Sequence, residues 1–139
     1  MHKYTIYTLT LLGTLFSGFL SGVKFFTDTC ALGETCPLFL GKPACYFGFG
    51  LFLLLFILSN ILVFRKSGQE KASVALIIVS ILGIIFAGRF VIREFVQWSQ
   101  TGFEWSALGL PTCAYGLIFY MLVLVFVLRY RKTFQSAVI

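Results

Sequence analysis

Apolar residues run through this chain in four long blocks, at about 4–26, 46–64, 72–90 and 108–128, broken by short stretches where charges and turn-forming residues collect. The blocks are nearly continuous rather than alternating, and each is close to the roughly 20 residues that a helix needs to cross about 30 Å of hydrocarbon. Four membrane-spanning helices are predicted. Little chain is left over: RKSGQEK (65–71) makes a tight polar turn between the second and third blocks, residues 27–45 join the first two, and residues 93–113 join the last two. The expectation is an all-α integral membrane protein, a four-transmembrane-helix bundle forming a single domain over 1–139.

Composition agrees with that pattern. Of 139 residues, 59% are hydrophobic, 18% aromatic and only 12% charged, too little polar surface to cover a soluble globule. The first block follows a basic start, MHKY, and could be taken for a cleavable signal, but it is long for a signal core and is read as a retained helix.

Charge adds an orientation. Lys3, Arg65, Lys66, Lys71, Arg129, Arg131 and Lys132 fall on one side of the four spans, while Lys24, Lys42, Arg93, Asp28, Glu34, Glu94 and Glu104 fall on the other, with Arg89 near it. Basic residues near span ends are retained in the cytoplasm. A multi-pass protein of the cell membrane with both termini cytoplasmic is therefore expected. The net charge of +6 is then a topology signal, and no nucleic-acid partner is needed to explain it.

A pattern repeats across the spans. GKPACYFG (41–48) and GLPTCAYG (109–116) share Gly, Pro, Cys, aromatic and Gly in one order, so that Gly41, Pro43, Cys45, Phe47, Gly48 and Phe52 correspond to Gly109, Pro111, Cys113, Tyr115, Gly116 and Tyr120 at an offset of 68 residues. That offset passes an even number of spans and returns each motif to the same side, which predicts two parallel two-helix repeats about a pseudo-twofold axis along the membrane normal. Proline presets a helix start without losing a hydrogen bond, and the glycine before it allows a sharp turn. The cysteine then lies in the first turn, where the positive helix end stabilises a thiolate. Gly48 and Gly116, one turn deeper, are expected where a helix or ligand comes close.

All four cysteines fall on the predicted outer, oxidising side: Cys30 and Cys36 in the first outer loop, Cys45 and Cys113 at the span starts. Structural disulfides and redox-active thiols both satisfy this placement. Metal binding is disfavoured, because Cys-x5-Cys and Cys-x8-Cys are not usual zinc spacings and the single histidine, His2, lies on the other side.

The Gly-x-Pro-x4-Gly-x3-aromatic run of residues 41–52 resembles the segment that opens the second helix in the vitamin K epoxide reductase family, which is close in architecture to the disulfide-bond protein B family. The likeness extends to a four-helix core, a pair of loop cysteines and a cysteine at the outer start of the fourth helix. By that resemblance Cys30 and Cys36 match the loop pair, and Cys113 matches the second position of the family's membrane-embedded Cys-x-x-Cys; Leu110 stands at the first position, and Cys45 has no counterpart in the family. The resemblance implies a membrane thiol–disulfide oxidoreductase that takes electrons from an extracytoplasmic thioredoxin-like partner and passes them to a quinone. Cys30 would pair with Cys36, and Cys45 with Cys113 as an inner pair in place of the Cys-x-x-Cys.

Arg89 and Arg93, four apart, share a helix face near the outer interface, suited either to a quinone carbonyl or to lipid phosphates by snorkelling. Trp98, Trp105, Tyr4, Tyr7 and Tyr130 are expected in interfacial belts, Glu94 and Glu104 in water, and Asn60 in a helix-to-helix hydrogen bond. Two classes of function stay open: a quinone-linked oxidoreductase, and a non-catalytic membrane protein or complex subunit whose outer cap is braced by disulfides.

Overall fold

In a computed structural model, which describes residues 2–27, 38–101 and 112–138, the chain forms α1 (His2–Thr27), a small hairpin of β1 (Leu38–Phe39) and β2 (Lys42–Pro43), then α2 (Ala44–Phe64), α3 (Gln69–Thr101) and α4 (Thr112–Val138). Each of the four helices is long and apolar enough to cross a bilayer, so by length and composition the chain reads as a multi-pass membrane protein.

The helices lie in cyclic order, α1 against α2 and α4, α3 against α2 and α4. One end of the bundle gathers the start of α1 with the ends of α2 and α4 and the start of α3. There Tyr7 meets the Phe64 ring at 6.0 Å, His2 lies 6.3 Å from Phe126, and the Tyr130 hydroxyl donates to Gln69 Oε1 at 3.4 Å. The turn between α2 and α3 closes on Gly68, whose φ of 90° lies in the left-handed region that a side chain disfavours; its carbonyl accepts from Ala72 N at 2.9 Å.

Two helices run past the blocks read from sequence. α3 continues through 91–101 because REFVQWSQT contains no glycine or proline, and the first glycine after it is Gly102. Its 33 residues span roughly 50 Å at 1.5 Å per residue, more than the hydrocarbon is thick, so the expected outer loop from 93 is helical as far as Thr101. α4 likewise carries on through its basic end to Val138.

The interior is largely apolar, built on Ile6, Phe52, Leu55, Leu76, Tyr120 and Val123, with small hydroxyl residues set into it, and the outside is apolar as well. Thr10, Ser17, Ser21, Ser59, Ser73 and Ser80 are buried, while Leu15, Phe19, Ile57, Ile78, Ile85 and Met121 are exposed, as lipid-facing positions are. Without water outside, helices associate by close packing and interhelical hydrogen bonds rather than by hiding apolar area. The α1–α2 seam shows both. Thr10 and Ser59 hydroxyls meet at 2.8 Å, Thr14 Oγ1 donates to the Phe52 carbonyl at 3.0 Å, and the Phe52 ring lies so flat on Gly13 that a Cβ there would stand 2.6 Å from it. On the α3–α4 seam the Tyr120 ring covers Gly83 in the same way, leaving no room for a Cβ.

Among the described residues Asn60 makes no hydrogen bond to another helix. Its Nδ2 donates to Phe56 O of its own helix at 2.8 Å, the default for an amide that finds no partner across a seam. Glu94, expected in water, is half-buried with Oε2 out of reach of solvent.

Candidate functional site

The hairpin before α2 explains how GKPACYFG folds. Leu38 pairs with Pro43 and Phe39 with Lys42 in antiparallel register, and the two residues between them, Leu40 and Gly41, have φ of 53° and 80°. Positive φ at both central positions matches the twist of a two-residue hairpin; glycine adopts it at no cost, whereas Leu40 does so with its side chain exposed. Pro43 closes the hairpin and α2 begins at Ala44, which makes Cys45 the second helical residue; Cys113 is the second residue of α4 in the same way.

Cys45 and Cys113 are both half-buried thiols, with no disulfide between them. The inner disulfide implied by the family resemblance is therefore not formed, yet the two residues line one cavity, together with Phe16, Ser17, Gly48 and Tyr120 among others, from three of the helices and the facing side of α3. The cavity is about 60 Å³, room for a few waters rather than for a ring system. Its neighbours hold the first turn of α2 in place: Ser21 Oγ donates to the Cys45 carbonyl at 3.0 Å, and the Tyr120 hydroxyl reaches the Gly48 carbonyl at 3.3 Å. A helix's first turn leaves its N–H groups without intrahelical partners, so both thiols sit where donors converge.

Gly48 and Gly116 line this cavity, but neither is where helices crowd. A Cβ on Gly48 would meet nothing within 4 Å, and one on Gly116 would be in ordinary contact with Phe52. The close approaches are at Gly13 and Gly83. For Gly13 the sequence carries a signal, since Thr10, Gly13, Ser17 and Ser21 form a stripe of small and hydroxyl residues at helical spacing; that stripe does not extend to Gly83 on α3.

Arg89 and Arg93 are exposed over a groove of about 310 Å³ whose floor is Leu51, Leu82, Ile85, Phe86 and Phe90. This groove opens between α2 and α3, on the outside of the bundle. Phe86 lines both the groove and the thiol cavity, and packs at 6.2 Å on Phe47 and at 5.1 Å on Phe90. One aromatic wall therefore separates the two spaces. Cys30, Cys36, Glu104 and Trp105 lie outside the described residues, as does the side chain of Trp98. Tyr4 is exposed with the Lys3 ammonium 5.4 Å over its ring, as in an interfacial belt.

No protein-family model, curated protein or solved structure matches this chain.

Proposed function

We propose that the chain is a membrane thiol–disulfide oxidoreductase built from two parallel two-helix repeats, with Cys45 and Cys113 as its inner redox pair and a quinone as the electron acceptor. The observation that carries this reading is that two thiols, 68 residues apart in sequence, line the same small cavity from the first turns of two different helices. The repeat has support of the same kind. Phe52 and Tyr120 stand at the same offset and stack on one another, and Phe47 meets Phe86 across α2–α3 as Tyr115 meets Phe16 across α4–α1.

On this reading both termini are cytoplasmic and the cysteines face the outside of the cell membrane. A reduced thioredoxin-like partner gives two electrons and two protons to a Cys30–Cys36 disulfide, becoming a disulfide itself. The Cys30 and Cys36 thiols then reduce a Cys45–Cys113 disulfide by thiolate exchange. Finally Cys45 and Cys113 form their S–S bond while two electrons and two protons pass to the quinone, giving the quinol. The quinone lies in the Arg89–Arg93 groove, which has the volume that the thiol cavity lacks, with a guanidinium on its carbonyl and Phe86 as the shared wall. The architecture and this electron path are those implied by the resemblance to the vitamin K epoxide reductase and disulfide-bond protein B families.

The size of the thiol cavity favours a second reading, a non-catalytic membrane protein whose cysteines brace the outer cap. One assay separates them: purified protein, a reduced thioredoxin-like protein and a soluble quinone are mixed and quinone reduction is followed in the wild type and in Cys113→Ala. Reduction that depends on Cys113 is expected. A wild-type rate no higher than background with every quinone tried, with unfolding of Cys113→Ala, would favour the structural reading.

A further inference from the structure

A third and larger space lies at the other end of the bundle, away from Cys45 and Cys113. It is a groove of about 430 Å³ between the start of α3 and the end of α4, within the ~300–1,000 Å³ range of small-molecule sites. Glu70 lines it from α3 and Arg131 from α4, and among the described residues neither forms an ion pair. Opposite charges thus face one groove without neutralising each other. Tyr130 and Phe134, stacked at 6.1 Å with 22° between their planes, supply an apolar wall. The base is anchored, because the Tyr130 hydroxyl donates to Gln69 Oε1 at 3.4 Å and Gln69 Nε2 donates to the Leu62 carbonyl at 3.1 Å, tying three helices together.

We propose that this groove holds the headgroup of one zwitterionic phospholipid with a primary ammonium, its phosphate on Arg131 and its ammonium on Glu70. Charge selects this ligand. An anionic headgroup could set its phosphate on Arg131 but would leave the Glu70 carboxylate in the same groove without a cation, and a quaternary ammonium has no N–H to donate to that carboxylate. Position selects a lipid over a soluble ion, since the groove lies among the exposed Arg65, Lys66, Lys71 and Arg129, at the level where basic residues flank the hydrocarbon. Val74 and Ile78 on α3, with Val125 and Leu128 on α4, are exposed nearer the middle of the spans and offer the acyl chains an apolar track.

The test is native mass spectrometry of the full chain released from micelles containing equimolar dioleoyl phosphatidylethanolamine, phosphatidylcholine and phosphatidylglycerol. The wild type is expected to retain one phosphatidylethanolamine about tenfold over the others, the scale of one charge-assisted hydrogen bond. Glu70→Gln should bring its retention down to that of phosphatidylcholine, Arg131→Gln should abolish the retention of both, and Lys132→Gln, outside the groove, should change nothing. Phosphoethanolamine without acyl chains should displace the lipid only at far higher concentration; displacement at equal concentration would overturn the lipid assignment. Equal retention of the three lipids by the wild type, preference for phosphatidylglycerol, or a Glu70→Gln protein that keeps the wild-type preference would each overturn the proposal. The wild-type comparison stands even where a variant does not fold.

Discussion

Phe52 and Tyr120 stack face to face across the bundle axis, ring centroids 4.3 Å apart and planes 11° from parallel, each with its other side against a glycine of a neighbouring helix. Both are almost wholly buried, at 3% and 1% exposure. The pair joins the two halves of the chain at mid-bundle, directly beneath the thiol cavity that both residues line. Tyr120→Ala should therefore lower stability in detergent by about 3–5 kcal/mol, the usual cost of emptying a large aromatic site. Tyr120→Phe, which loses only the long bond to Gly48, should cost no more than about 1 kcal/mol. Chemical unfolding followed by circular dichroism measures both, and equal losses in the two variants would contradict the packing role.

The glycines under the rings make a matched prediction. Gly13→Ala and Gly83→Ala each force a methyl group into an aromatic face, and overpacking of this kind costs about 1–3 kcal/mol. Gly88→Ala, on α3 where a Cβ would meet nothing within 4 Å, should be neutral or slightly stabilising through helix propensity. Thermal melts of the three variants in one detergent give the comparison.

Hydroxyl pairing distinguishes the two seams. Thr10 and Ser59 lie 2.8 Å apart while also contacting the carbonyls of Tyr7 and Phe56, so two hydroxyl protons serve three bonds. Ser80, fully buried on α3, has no hydrogen-bond partner for its Oγ among the described residues. A double-mutant cycle over Thr10→Val and Ser59→Ala should return a coupling of about 0.6 kcal/mol, typical of interhelical hydrogen bonds in membranes. Ser80→Ala should leave stability unchanged or raise it, since it removes a buried hydroxyl that gains nothing.

The inner pair can be tested without any electron partner. In a protein carrying Cys30→Ser and Cys36→Ser, mild oxidation should join Cys45 to Cys113 within one chain, detectable as a cross-linked peptide that disappears on reduction. Bridging needs Cα atoms within about 7 Å. Recovery of both thiols after an oxidant has acted to completion would rule the pair out.

Sidedness has its own measurement. A cysteine introduced by Ser67→Cys, in the exposed turn between α2 and α3, should react with an impermeant maleimide only after cells are opened. Labelling from outside would invert the orientation inferred from the basic residues.

The number of helices and their approximate places were legible in the sequence because a span must be nearly free of charge over about 20 residues, a demand that leaves long unbroken blocks. The helical turns that carry Cys45 and Cys113 were legible too, since proline and glycine act locally. Boundaries were less so: α3 passes Phe90 and reaches Thr101, because charged residues end a membrane span without ending a helix.

What the chain alone left undecided is which face of each helix meets which neighbour. In a soluble bundle the apolar stripe marks the inside, but here lipid and core are equally apolar, so Phe52 is buried while Leu53 and Leu54 beside it are exposed with no hydrophobic contrast to tell them apart. Tertiary packing made that choice by fitting flat rings onto Gly13 and Gly83 and matching hydroxyls across the α1–α2 seam. The same fitting brought Cys45 and Cys113 to one small cavity and put Phe86 between it and the arginine groove. Four apolar blocks and a repeated Gly-Pro-Cys motif are properties of local sequence; shape complementarity exists only once the helices meet.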